Sequence, residues 1–257
     1  MKIATWNVNS VKARRERLLA FLERESPDVL CLQELKAVEA QFPHDDIRNA
    51  GYQAAVLGEK TYNGVAILSK LPLENVRTGL GDNVSDPQSR LISASIAGTR
   101  ILSVYVPNGG EPGSEKYNYK MQWLARLQAH LQRLLEREPD LVLCGDLNIA
   151  PDDRDVANPE QWNQSVLCLP EVRAEFHKLL ALGLEDVFRK HHESAGLYSW
   201  WDYRMLGFAK NNGLRIDHIL ATPRIAALSS DARVDRDERK GKRPSDHAPV
   251  LASFNLN

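Results

Sequence analysis

The sequence of this 257-residue chain predicts an α/β fold: two β-sheets packed face to face, helices outside them, and two similar halves. Three observations carry it. Short apolar strand-like runs alternate with a few amphipathic helical runs along the chain. Each half contains a β-α-β pattern. Each pattern ends on a buried-looking strand with a polar tip, PDVLCLQE at residues 27–34 and PDLVLCGDLNIAP at residues 139–151. In the second run the apolar stretch stops at a glycine. Asp146 and Asn148 follow, spaced by two, so an extended chain presents a carboxylate and an amide on one face. Two such strand ends suggest one site assembled from two halves. Any buried strand preceded by Pro-Asp would give the same echo, so pattern alone leaves duplication open.

Residues 2–8 alternate and are rich in β-formers, predicting a strand that ends at Asn7 and Asn9. Ser10 can cap the helix that follows, with Val11, Leu18, Leu19 and Leu22 on one face and Lys12, Arg14, Arg15 and Arg17 on or near the other. Pro27 breaks the chain before a strand at 29–33, and GVAILSK and SRLISASIAG supply further strands. The second unit has a strand at 100–106, a polar loop, and a helix from about 119 to 137. That helix buries Leu124, Leu127, Leu131, Leu134 and Leu135, and a strand at 141–144 follows it. Residues 151–169 read as loop. A helix from about 171 to 182 stops at Gly183, and later strands are expected at 198–200, 215–221 and 249–254.

A net charge of −1 argues against nucleic-acid binding by bulk positive field while allowing local basic patches. The three cysteines lack metal-site spacing, and Cys31 and Cys144 lie inside apolar runs as small hydrophobes. The start has no basic-then-apolar signal and no apolar run could span a bilayer, which predicts a cytoplasmic protein with no membrane partner.

Five polar signatures each close or flank a strand: WNVN at 6–9, LQE at 32–34, GDLN at 145–148, RID at 215–217 and SDHAP at 245–249. Together they supply carboxylates, amides and one histidine. Oxygen donors without paired cysteines or a histidine cluster suit magnesium, with manganese as substitute, better than zinc. Glu34 is the first choice of ligand, with Asn7 beside it. An Asp-His pair fits acid–base work or donation to a phosphate oxygen.

The set WNVN, LQELK, YNGVAILSK, GDLNIAP, SWWDYR, GLRIDHIL and SDHAPV resembles the exonuclease III family of DNA repair nucleases, in order and spacing from Met1 to the C-terminus. GDLN and SDHAP alone would indicate only the wider endonuclease/exonuclease/phosphatase superfamily. The DYR and GLRID segments narrow the resemblance to the DNA enzymes.

That resemblance implies a four-layered α/β sandwich with pseudo-two-fold halves, one domain over residues 1–257, and a monomer acting on double-stranded DNA at abasic sites or 3′ ends. It assigns Glu34 to the metal, Asn7 to its surroundings and Asp246 to a secondary metal or orienting role. Asp146 would hold or deprotonate the attacking water, Asn148 would orient it, and His247, supported by Asp217, would bind a phosphate oxygen. Tyr105 would stabilise the developing charge or the leaving group. Asn108 matches a phosphate contact and Arg90 a DNA-backbone contact, with Tyr62 touching DNA from a loop. Trp200, Phe208 and Leu214 fall where the family builds an apolar pocket for a base-less sugar, and Trp201, pointing the other way, would be core.

Two competitors stay open at this level: a phosphoesterase of the same superfamily acting on RNA, inositol phosphate or phospholipid, and a non-catalytic nucleic-acid-binding regulator. The basic cluster Arg233, Arg236, Arg239, Lys240, Lys242 and Arg243 reads equally as a solvated or a phosphate-gripping loop. His191 and His192 are expected at the surface. The loop 152–169, which varies in the family, and His218 have no assigned role, and the balance among endonuclease, exonuclease and 3′-phosphatase activities is not readable.

Overall fold

Strand alternation sets the layers. The computed structural model describes residues 1–256. The first half runs β1 (Lys2–Asn7), α1 (Arg15–Glu25), β2 (Val29–Gln33), α2 (His44–Asn49), β3 (Gln53–Leu57), β4 (Val65–Ser69), β5 (Glu74–Thr78) and β6 (Leu91–Ile96). It continues with β7 (Thr99–Tyr105), α3 (Glu115–Leu135), β8 (Leu141–Asp146), α4 (Pro159–Trp162), α5 (Pro170–Ala181), β9 (Glu185–Asp186) and α6 (Val187–His191). It closes with β10 (Asp217–Ala221), α7 (Pro223–Ala227), β11 (Ser229–Val234) and β12 (Val250–Phe254).

Two six-stranded sheets form, ordered β11-β12-β1-β2-β4-β3 and β5-β6-β7-β8-β10-β9. In each, one central parallel pair, β1–β2 or β7–β8, is flanked by antiparallel neighbours. The sense of pairing is the same across both sheets, which gives the duplication the sequence hinted at. Alternate residues face opposite ways. Ile3, Val29, Cys31, Val65 and Ile67 of one sheet meet Ile92, Ile101, Val142, Cys144 and Ile219 of the other in the central core. Their neighbours Trp6, Leu30, Leu32 and Leu68 face Leu18, Phe21 and Leu22 of α1. Leu102, Val104, Leu141 and Leu143 face Trp123, Leu124, Leu127 and Leu131 of α3 and Phe176 of α5. The result is the expected helix–sheet–sheet–helix sandwich. Burial on both faces explains why the central strands are continuously apolar.

The boundaries shift where side chains cap. The long helix starts at Glu115 rather than near 119, because Ser114 Oγ accepts the Tyr117 N–H at 3.1 Å. Ser10 does not cap α1. Its hydroxyl accepts from Ala13 N at 3.3 Å in a turn ahead of the helix, which begins at Arg15. Residues 198–200 form no strand. Trp200 makes only isolated bridges to Leu214 and His247, and the strand expected from 215 begins at Asp217. The loop 152–169 carries a 3-10 turn at Asp153–Asp155 and the short α4. No helix among the described residues is long and apolar enough to cross a membrane.

Candidate active site

The carboxyl ends of the two parallel pairs meet at one edge of the interface between the sheets. Register places Asn7 opposite Gln33 in one sheet, and Tyr105 and Asp217 on either side of Asp146 in the other. Gly145 lets β7 and β8 approach there: a Cβ on it would sit 1.9 Å from the Val104 carbonyl oxygen. The SDHAP loop is tied to β1, with Ser245 Oγ donating to the Asn7 carbonyl at 2.7 Å and Trp6 Nε1 to the His247 carbonyl at 3.2 Å.

Asn7 sits between the two acids. Its side-chain nitrogen donates to Glu34 Oε1 and to Asp146 Oδ2, each at 2.9 Å. Tyr105 Oη donates to the same Glu34 oxygen at 2.8 Å, and the Lys36 ammonium lies 2.9 Å from the other. Burial pushes the Glu34 carboxyl up, but Lys36 and the Asn7 amide outweigh it and hold it below the ordinary range. Asp146 is pushed up to about 7, first by burial and then by Asp217 and Glu34, against the opposing pull of His247 and Asn7. Burial, then Glu34 and Asp146, raise the Tyr105 phenol well above its usual value, so it remains a proton-bearing donor.

His247 is almost fully buried, with Nδ1 2.8 Å from Asp217 Oδ2 and Nε2 3.7 Å from Asp146 Oδ2. Burial would lower its pKa, but the Asp217 and Asp146 carboxylates prevail and raise it to about 10. Asp217 Oδ2 also accepts from Ser199 Oγ at 2.6 Å, while its Oδ1 is buried with no hydrogen-bond partner. At 3.7 Å the Nε2–Asp146 pair is too long for a hydrogen bond. An imidazolium N–H therefore faces a gap beside two carboxylates.

Glu34, Asp146 and His247 offer ligand atoms within 4.8 Å of one another. A protonated imidazole does not ligate, so the set fits a hard divalent cation on the carboxylates and an anion on His247. Asn7 is tied into the set through both ends of its amide. Its nitrogen faces the acids and its oxygen accepts from Asn9 N at 3.0 Å, so it positions the two carboxylates. Asp246 Oδ1 accepts from Asn9 and Oδ2 from Trp200 Nε1 at 3.0 Å, and each carboxylate oxygen keeps a second lone pair. Asn148, at φ +50°, donates its backbone N–H to Asp146 Oδ1 at 2.9 Å, and its side-chain oxygen accepts from Asn108 at 3.0 Å.

Beside these groups lies a pocket of about 160 Å³ lined by Tyr105, Asn108, Leu167, Trp200 and Ile216. Trp200 is in it, and Trp201 is fully buried in the core as the alternation implied. Phe208 and Leu214 are not. Phe208 stacks edge-on against Trp201 at 5.2 Å, and Leu214 has no exposed surface because its side chain packs among Val156, Leu167, Ile216 and Trp200. Leu167 and Ile216 stand in their place. Ile216 was reachable by alternation, two residues past Leu214. Leu167 comes from the long loop, where no periodicity exists to read. Ser199, Asn9 and Lys36 were also missed, although each is next to a quoted motif or inside it.

Arg90 is buried. Its Nη1 donates to the Tyr105 carbonyl at 3.0 Å and its guanidinium lies 4.8 Å from the Tyr105 ring centroid. With Tyr62, Asn108 and Lys116 it lines a groove of about 530 Å³ that shares Tyr105 and Asn108 with the catalytic pocket. The basic cluster divides. Arg239 is built into the fold, bonding to the Ser245 and Trp201 carbonyls, while Lys242 and Arg243 line a groove with Lys12, Arg15 and Arg17.

His218 gains a role as support. Its Nε2 bonds to the Ile149 carbonyl at 2.9 Å and its Nδ1 to Arg215 at 3.1 Å. Arg215 in turn pairs with Asp155 at 2.6 Å and Asp186 at 2.8 Å. This buried network ties the segment after Asn148 to the segment leading into Asp217. His191 and His192 are only partly exposed and bond to Ser229 and the Ala232 carbonyl.

Comparison with known proteins agrees with this geometry. The model of the endonuclease/exonuclease/phosphatase family matches residues 4–247. The chain is 36% identical over 266 residues to the exodeoxyribonuclease III of Haemophilus influenzae, covering 99% of this chain and 100% of that one. The structure of the 3′ phosphatase NExo from Neisseria, bound to a product DNA hairpin, matches with a TM-score of 0.98 at 44% identity over 100% of both chains. An AP endonuclease from Archaeoglobus fulgidus matches with a TM-score of 0.95 at 40% identity, again over 100% of both. Similar in sequence and in structure over nearly its whole length, the chain belongs to the endonuclease/exonuclease/phosphatase family, in its exonuclease III branch, and is a hydrolase of the nuclease type.

Proposed function

We propose that the protein is a magnesium-dependent DNA repair nuclease, with manganese able to substitute. It acts on double-stranded DNA at abasic sites, cutting on the 5′ side to leave a 3′ hydroxyl, and at 3′ ends, removing nucleotides and blocking groups. It works as a cytoplasmic monomer folded as a single domain. The observation that carries this reading is the convergence of Glu34, Asp146 and the His247–Asp217 pair on a pocket of only about 160 Å³. Ordinary ligand pockets are roughly 300–1,000 Å³. A space this small favours a phosphate with a base-less sugar or a terminal group over a nucleotide with its base. Likeness to a Neisseria 3′ phosphatase and to an archaeal AP endonuclease supports both substrate ends.

The chain's residues meet the needs of phosphodiester hydrolysis. His247 Nε2–H donates to a non-bridging phosphate oxygen and counters its charge, with Asp217 holding the ring through Nδ1. Asp146, held at about 7 and fixed through both oxygens by Asn7 and the Asn148 backbone, takes a proton from water near neutral pH. Tyr105 keeps its Oη proton and offers it to developing negative charge. Trp200, aligned by Asp246, closes the apolar side of the pocket and keeps water out. A divalent cation held by Glu34, with Asn7 and Asp246 close by, would supply charge neutralisation at the phosphate and the departing oxygen.

The test is a set of labelled duplexes bearing one abasic analogue, a 3′-phosphate or a blunt 3′ end, with magnesium and with EDTA. Cleavage of the first two that EDTA abolishes is expected. An intact strand at micromolar enzyme with magnesium present refutes the proposal, and turnover of RNA or inositol phosphates in preference to DNA moves it to another phosphoesterase class.

A further inference from the structure

Lys120, on α3, has no exposed surface. Its three N–H donors go to three backbone carbonyls rather than to a carboxylate: Asn148 at 2.7 Å, Val166 at 2.8 Å and Asn108 at 3.1 Å. Burial pushes the ammonium down to about 7, with the Asp146 carboxylate opposing. Three acceptors use every proton of the ammonium form, whereas a neutral amine would turn its lone pair toward one of the carbonyls. Burying an ammonium is costly, and a leucine or methionine would fill the same space without that cost. Packing alone therefore does not explain the residue.

The three carbonyls belong to segments that follow β7, follow β8 and precede α5. Each of these segments lines the catalytic pocket, through Asn108, Asn148 and Leu167, the residue after Val166. Asn148 holds Asp146 Oδ1 through its own backbone N–H, so a movement of the Asn148 carbonyl reaches the base through the adjoining peptide. The neighbouring Gly109 is shaped around the same side chain. At φ +97° it leaves room for the lysine stem, and a Cβ there would sit 2.8 Å from Lys120 Cδ.

We propose, resting on the nuclease reading above, that Lys120 is a positioning residue: one ammonium clamps three walls of the active site and sets where Asn108 and Asn148 stand relative to Asp146. It touches neither substrate nor metal. Its removal is expected to lower kcat while leaving substrate affinity nearly unchanged.

The experiment compares wild type with Lys120→Met, which keeps the length and removes all donors, and Lys120→Gln, which keeps two. Turnover of the 3′-phosphate and abasic duplexes is measured in magnesium, alongside circular dichroism and thermal melts. The expected result is a folded Lys120→Met with kcat down at least 30-fold and KM within threefold, and Lys120→Gln between it and wild type. Folded variants with kcat within twofold of wild type overturn the proposal, as does a loss that falls on KM instead. If neither variant folds, Lys120 is a stability residue and the positioning role is rejected. Failure of wild type to cut either duplex is a different result, and it refutes the nuclease reading rather than the clamp.

Discussion

His247 and Asp217 are joined at 2.8 Å through Nδ1 and Oδ2, and Ser199 holds the same carboxylate oxygen from the other side at 2.6 Å. The carboxylate thus fixes both the orientation and the charge of the ring. In Asp217→Asn the ring loses the partner that does most to raise its pKa to about 10. Turnover should fall by about 10²–10⁴-fold, with DNA affinity changed only a few-fold. NMR titration of His247 should show its midpoint moving down toward 6.5. The stability from this pairing is fully present below the unfolded-state value and is lost as pH climbs through about 10. An unchanged imidazole midpoint would break the link between the two residues.

Glu34 takes its fixed donors from Asn7 and Tyr105 on one oxygen, while the other pairs with Lys36. Glu34→Gln should raise the magnesium concentration for half-maximal rate at least tenfold, with little change in the circular dichroism spectrum. Titration of rate against magnesium checks this, and a curve that overlies wild type removes Glu34 from the metal site.

Trp200 and Leu214 are backbone partners in one apolar cluster, but Leu214 is fully buried while Trp200 is half-buried and lines the pocket. Leu214→Ala should cost about 2–5 kcal/mol of stability, as for truncation of a buried leucine, and should leave KM alone in the folded protein. Trp200→Ala opens the pocket instead. It should cost less stability and should narrow the preference for base-less over intact nucleotides, read as a ratio of kcat/KM values. Equal effects on melting temperature would show that both residues are simply core.

His218 is buried, and its pKa falls to about 4, first through desolvation and then through the Arg215 guanidinium beside it. The folded state favours the neutral ring, so its contribution is complete above about 6.5 and is lost as pH falls toward 4. The difference corresponds to ~3 kcal/mol. Urea unfolding at pH 7.5 and 5 should show the loss in wild type and a shallower pH dependence in His218→Gln. Parallel slopes would place the sensitivity elsewhere.

The fold was legible because the strands that carry it are apolar on both faces and end in polar tips. PDVLCLQE and PDLVLCGDLN read as the closing strands of two β-α-β units, and these are the strands of the two parallel pairs. The edge strands β3, β5, β9 and β11 were not legible, because their residues are exposed or half-buried and carry little periodicity. In the site, motif residues such as Glu34, Asp146 and His247 were readable by type and position. The hydrogen-bond partners of Asn7 and Asp246 were not, because they depend on which atom of each faces which neighbour. Leu167 and Lys120 lay beyond reach for a similar reason: one sits on an irregular loop, and the other looks like any lysine on a helix until its burial is known.

β1 lies between β2 on one edge and β12 on the other, with Lys2 opposite Ser253 and Thr5 opposite Val250. Pairings across so much chain close late and slowly compared with hairpins. The SDHAP loop docks on β1 through Ser245 and Trp6, so the imidazole reaches the acids only once that last strand has joined. Glu34 and Asp146 alone therefore make half a machine, and closure of β12 onto β1 delivers the other half.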